Sequence, residues 1–160
     1  MIAHIIFPAG IAFIVDQLTK WLILEHVMQP PRLIEVLPFF NLTLGFNTGV
    51  SFGLFSETLA AQPQVLIVAN LLIVIGLLAW AQRTPVLTER LGIAVIAGGA
   101  LGNIVDRWRQ GAVTDFLDFH WAGWHWPAFN GADVFIFVGF VLMFLSCIRK
   151  TSCQVREGQV

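Results

Sequence analysis

Four stretches of the chain, roughly residues 4–25, 64–82, 87–106 and 131–148, stay apolar for the ~20 residues that an α-helix needs to cross a bilayer. Nothing else narrows the fold as far. In hydrocarbon a segment must satisfy its own backbone amides, which leaves helices or closed barrels. Of the 160 residues, 57% are hydrophobic and 12% charged, against roughly 45–50% and about 25% in soluble domains. The expected fold is an all-α membrane protein with four transmembrane helices, forming one domain over residues 1–160. No linker, repeat or low-complexity segment divides it. A formal net charge of -1 and the lack of a Lys/Arg run argue against a nucleic-acid partner. Cys147 and Cys153 have no zinc or redox spacing. The first run lacks a preceding Lys or Arg and is interrupted by Asp16 and Lys20, so it reads as a retained span rather than a cleaved signal peptide.

The first and third runs carry their ionisable residues at one end only. Ends of that kind reach the interface or face protein rather than lipid. Successive spans alternate in direction, so the ends of spans one and three and the starts of spans two and four share one membrane surface. The polar motifs should converge there. In the short loops, Arg83, Arg90, Arg149, Lys150 and Arg156 fall on one side, and Arg32, Arg107 and Arg109 on the other. This bias favours cytoplasmic termini, with residues 26–63 and 107–130 outside. The segment LPFFNLTLGFNTGVSFGLF mixes aromatic and branched residues with Gly and Asn, as in short strands joined by turns. It predicts a small extracytoplasmic β-sheet at the interface. HWAGWHWPAF has Trp121, Trp124 and Trp126 within six residues. Amphipathic rings of this type settle at headgroup depth, and the segment is expected to form a short interfacial rim or helix.

The polar residues at that surface offer chemistry. Gly99, Asn103 and either Asp106 or Arg107 share a helix face. Gly98 and Gly102 form a small-xxx-small pair that permits close helix packing. Asp16 and Lys20 stand at i and i+4 and can form an intrahelical ion pair. Asp115, just after span three, and Asp133, where span four begins, can be neighbours. Two adjacent carboxylates cannot easily both ionise, so one can activate water while the other serves as acid. The alternative is structural, with Asp133 as a helix cap and Asp115 as a turn residue. Asn47 and Asn130 offer amides that can hold a peptide backbone or orient a carboxylate, although Asn near Gly is also ordinary turn chemistry. Asp118 reads as solvated. GVSFG, residues 49–53, lacks the strand–turn–helix context and His base of a nucleophile elbow. His120 and His125 lack the helical spacing of a zinc site. Without a phosphate loop or dinucleotide fingerprint, no cofactor or metal is expected. A proton-coupled transporter and a noncatalytic scaffold remain as rivals, since membrane carboxylates also mark proton relays. No inverted repeat supports the transporter.

Four blocks in this order, DQLTK (16–20), NTGVSFG (47–53), GGALGNIVDRWRQGAVTDF (98–116) and FNGAD (129–133), resemble signal peptidase II, the bacterial lipoprotein signal peptidase. The resemblance covers nearly the whole chain. It implies an aspartic endopeptidase of the bacterial inner membrane that cuts prolipoproteins just before the diacylglyceryl-modified Cys. Asp115 and Asp133 match the family's catalytic pair. Asp16, Lys20, Asn47, Gly49, Gly99, Gly102, Asn103, Arg107, Asn130 and Ala132 match positions expected to support that pair or bind substrate. The resemblance also implies prolipoprotein and membrane-lipid partners, inhibition by globomycin-type compounds, and a monomer. Thr114 stands where the family usually has an aliphatic residue.

Overall fold

The computed structural model describes residues 2–49 and 62–157, with side chains as far as residue 148. The GVSFG pentapeptide beyond Gly49 and the remainder of the predicted sheet segment lie outside the described residues. Helix α1, Ala3–Leu22, continues through a π turn, Ile23–Val27. Strands β1, Ile34–Leu37, and β2, Phe40–Asn47, follow, and then helices α2, Pro63–Arg83, and α3, Leu87–Gln110. Strands β3, Val113–Trp121, and β4, Trp124–His125, lead into the last helix, α4, Gly131–Glu157. Among the described residues, three segments, Ala3–Val27, Pro63–Arg83 and Gly131–Ile148, are long and apolar enough to cross a membrane. Helix α4 runs well past the end of its predicted apolar window.

Three of the helix boundaries have a plain physical cause. Pro63 opens α2, where its missing N–H costs nothing and its fixed φ suits the first turn. Arg90 of α3 closes the other end of α2, donating from Nη2 to the Thr84 carbonyl at 2.7 Å and from Nε to that of Ala81 at 3.3 Å. Helix α3 stops at Gly111, whose φ of 78° is left-handed and whose N–H returns to the Arg107 carbonyl. Glycine takes that conformation without a Cβ penalty. The chain therefore reverses at once into β3.

Helix α3 packs against α1, α2 and α4, and its small residues set the spacing. A Cβ on Gly98 would collide with the Ala9 carbonyl of α1, and one on Gly99 would meet the Ala132 carbonyl of α4 at 2.6 Å. Without side chains at these points the backbones approach closely. The outward faces of the other helices remain apolar, with Phe7 and Ile14 on α1, Leu72 and Ile73 on α2, and Phe137 and Phe140 on α4 all exposed. So much exposed apolar surface is abnormal for a water-soluble monomer and is what lipid requires.

The four strands form one antiparallel succession, β1-β2-β3-β4. Gly45 stands opposite Asp115 and Asn41 opposite Asp118. Below the sheet, Ile23, Met28 and Phe116 bury one another with Leu42 and Leu44, which seats it on the end of α1. The predicted sheet from the first external segment is therefore present, and its central partner is β3, a strand the sequence did not predict. The Trp-rich segment, expected as an interfacial rim or short helix, contains a hairpin and no helix. Trp121 pairs with Trp124 and His120 with His125, across a turn made by Ala122 and Gly123, both at positive φ.

Candidate active site

Asp115 and Asp133 line one cavity of about 600 Å³, and Asn130 joins them. Its Nδ2 donates to Asp115 Oδ1 at 2.6 Å. Its Oδ1 accepts the Asp133 N–H at 3.1 Å, while its own N–H donates to Asp133 Oδ2 at 3.2 Å. The second exchange is a capping box at the start of α4, with Asn130 as cap and Asp133 at the third helical position. The capping role expected for Asp133 is thus shared: Asn130 is the cap and Asp133 its reciprocal partner. Asp115 is a strand residue, not a turn residue.

The remaining environment of Asp133 comes from α3. Asn103 Nδ2 donates to Asp133 Oδ1 at 3.2 Å, and its Oδ1 accepts from Lys20 Nζ at 2.9 Å. Lys20 also pairs with Asp16 at 2.9 Å, the predicted i, i+4 contact, and with Asp106 at 2.8 Å. Asp16 Oδ1 accepts the Ala132 N–H at 2.7 Å, so the first span holds the opening turn of α4 in place. Asp106 Oδ2 accepts the Thr114 N–H at 3.2 Å, which anchors the strand one residue before Asp115. These charges are buried but paired and hydrogen-bonded, as charges away from water must be.

The structure separates two faces of α3 that sequence spacing left open. Gly99, Asn103 and Arg107 turn toward α4 and the cavity, whereas Gly102 and Asp106 turn toward Asp16, Gln17 and Lys20 of α1. Arg107 Nη2 donates to the Gly49 carbonyl at 2.7 Å and Nη1 to the Asn103 carbonyl at 3.4 Å. Asn47 Oδ1 accepts the Gly49 N–H at 3.0 Å, and its side chain also hydrogen-bonds Asp115. Asn47, Asn103 and Arg107 therefore line the cavity beside the two acids. Asp16, Lys20 and Ala132 instead form an anchor outside its lining.

One residue of this network, Gln17, was not singled out from sequence. Gln17 Nε2 donates to Asp106 Oδ1 at 3.0 Å and to the Gly102 carbonyl at 3.2 Å. An uncharged polar residue inside an apolar span was the available signal. Asp118 was expected to be solvated and is buried instead. Its carboxylate accepts from Asn41 Nδ2 at 3.2 Å and contacts His125 Nδ1 at 2.9 and 3.0 Å.

Burial lifts the Asp115 carboxyl from 3.8 to about 6, and the negative charge of Asp133 pushes the same way. Hydrogen bonds from Asn130 and Asn47 and the charge of Lys20 oppose the rise. A carboxyl poised near neutrality beside a second one can trade protons with a bound water or a polarised carbonyl.

Apolar-faced helices long enough to cross a membrane, enclosing a polar cavity lined by Asp115 and Asp133, define a class, that of helical membrane proteins with a buried polar site. Residues 9–149 match the family model of signal peptidase (SPase) II. The lipoprotein signal peptidase of Actinobacillus succinogenes is 36% identical over 93% of this chain and 92% of its own length. That of Polynucleobacter necessarius subsp. necessarius is 41% identical over 89% and 88%. A solved bacterial membrane enzyme, determined by the in meso method at 2.3 Å resolution, matches with a TM-score of 0.81 at 30% identity, covering 95% of this chain and 92% of that one. The chain belongs to the signal peptidase II family, peptidases of the aspartic class.

Proposed function

We propose that the chain is a single-domain intramembrane endopeptidase of the bacterial inner membrane. It crosses the bilayer four times with both termini cytoplasmic, and it removes signal peptides from prolipoproteins by cutting before the diacylglyceryl-modified Cys. Asp115 and Asp133 are its catalytic pair. One carboxylate takes a proton from a water that attacks the scissile carbonyl, while the other, protonated, gives its proton to the developing oxyanion; on collapse the first passes the water's proton to the leaving amine and the second recovers its own from the diol hydroxyl. No covalent intermediate forms. The protons belong to the pair, so two apparent constants describe the titration rather than one per residue.

The observation that carries this reading is Asn130, which hydrogen-bonds both acids at the wall of one cavity. Arg107 and Asn47, on the same wall, have donors for peptide carbonyls. The substrate's signal helix and acyl chains share the bilayer with the enzyme, so lateral diffusion brings the cut site to the depth of the pair. Trp126 stands at the cavity rim, where the hairpin clamps the arriving peptide. Substrate and lipids are the partners, globomycin-type compounds are inhibitors, and the monomer is the working unit.

The test is to incubate detergent-purified protein with a lipid-modified prolipoprotein and follow the shortened product. Wild type should cleave, and Asp115→Asn and Asp133→Asn should not, while both variants still insert and fold. Turnover retained by either variant removes that residue from the mechanism. A wild-type protein that binds the substrate without cutting it would favour a noncatalytic role.

A further inference from the structure

Asp118 and His125 lie outside the cavity lining, yet they stand where the two halves of the site are joined. Asp115 is carried by β3, and the chain must travel fifteen residues before Asn130 returns to it. The return path runs back along β3. Trp126 N–H donates to the Phe119 carbonyl at 2.8 Å, Phe129 N–H to that of Leu117 at 3.1 Å, and Leu117 N–H to that of Phe129 at 2.8 Å. Between those attachments sits Pro127, which has no N–H to donate, so the ladder is interrupted just before the residues that set Asn130. The Phe129 carbonyl also accepts from Phe116 N–H at 3.0 Å, so the backbone holds the far side of this gap, while β4 on the near side is two residues long.

The side chains of Asp118 and His125 add a contact on the near side of this gap. Asp118 belongs to β3 between the two attachments, and both of its oxygens receive His125 Nδ1 of β4. Asp118 is also tied inward to Asn41 of β2, which stands opposite Glu35 of β1. The His125 ring lies on that of His120, with centroids 5.0 Å apart. The imidazole donor is thus gripped from β3 and its carboxylate from β2.

We infer that Asp118 and His125 are positioning residues of this site, a side-chain clip that holds the return strand in register so that Asn130 meets Asp115. The inference rests on the peptidase reading above. Neither group touches the reacting atoms; both act through Asn130.

His125 is 52% exposed at its side chain, so truncating it leaves the core intact. The experiment compares wild type with His125→Ala and His125→Asn in the full-length protein. An Asn side chain offers an N–H close to the position of Nδ1. For cleavage of lipidated prolipoprotein, kcat and KM are measured separately across the acid limb of the pH profile. His125→Ala should lower kcat roughly three- to fivefold, the effect of losing one partly exposed side-chain hydrogen bond, with KM within about twofold. Its acid limb should move to higher pH, because Asn130 no longer holds the Asp115 carboxyl down. His125→Asn should restore both. Amide exchange at Leu117 and Phe129 should quicken in His125→Ala alone.

A slower His125→Ala whose acid limb stays in place would make the contact scaffolding and overturn the inference. So would unchanged kcat and exchange, or failure of Asn to rescue. Failure of the peptidase reading is separate and visible, since wild type itself would not cut.

Discussion

Replacing Asp115 by Asn should make the protein harder to unfold above neutrality while abolishing cleavage. The Asp115 side chain is almost wholly buried, and its carboxyl rises from 3.8 to about 6. The folded value lies above the unfolded one, so between the two the native chain binds more protons than the unfolded chain. Stability therefore falls as pH rises from about 4 to about 6 and stays lowered above that range. A displacement of roughly two pH units corresponds to about 3 kcal/mol, the free energy by which ionised Asp115 opposes folding. Asn preserves the shape, and its Oδ1 can still accept the 2.6 Å bond from Asn130 Nδ2. Repulsion from Asp133 disappears as well, while the attraction of Lys20 is lost, leaving an expected gain of about 1–3 kcal/mol. Thermal unfolding of both proteins in one detergent provides the assay, with each scanned at about pH 8 and about pH 4. The variant should melt roughly 2–8 °C higher at the alkaline condition, and the gap should close at the acid one. A gap of constant size, or a wild type that is the more stable at about pH 8, would refute the account of Asp115 as a carboxylate held against its solvation preference.

Two further substitutions test the helix contacts and the cavity wall. Gly102→Ala would drive a methyl into the Asp16 carboxylate, which is already pinned by Lys20 and the Ala132 N–H; overpacking of this kind costs about 1–3 kcal/mol. Gly76→Ala on α2 meets nothing within 4 Å and should be neutral or gain up to about 1 kcal/mol of helix propensity, so equal unfolding temperatures for the two variants would contradict the packing described. Arg107→Lys replaces a fork that reaches both the Gly49 and Asn103 carbonyls with a single ammonium, and kcat/KM should fall roughly tenfold when both proteins are assayed well below their unfolding temperatures. A full rate in the Lys variant would show that the planar geometry is dispensable.

The parts of this fold legible in the sequence are those with a local physical cause. Apolar runs announce helices because hydrocarbon accepts little else. The i, i+4 spacing of Asp16 and Lys20 places the two on one helix face before any tertiary contact exists. A cap at the start of the last span was legible as well, although the sequence pointed to Asp133 and the structure gives the cap to Asn130 with Asp133 as its reciprocal partner. The β3–β4 hairpin was illegible for an equally local reason. Its turn residues are Ala122 and Gly123, without the Asn-Gly or Asp-Gly signal that usually marks two successive positive-φ positions. An alanine in the left-handed region costs roughly 1–2 kcal/mol, which the surrounding pairing has to offset.

Asp106 and Asp118 illustrate the other category. Either could have been a solvated surface acid, and nothing in the neighbouring residues says otherwise. Asp106 became an anchor because α1 delivers Gln17 and Lys20 to it across 89 and 86 residues of chain, and Asp118 because β2 brings Asn41 from 77 residues away. The sequence by itself determined the membrane-helix character, the caps, and the set of polar residues collected at one end of the helices, since each follows from short-range periodicity and from solvation. Only the tertiary structure decided which face of α3 meets α1 and which meets the cavity. It also decided that β3 pairs with β2 and that one asparagine touches both acids. Those choices depend on contacts between residues far apart in the chain, whose free energy exists only after the helices have packed.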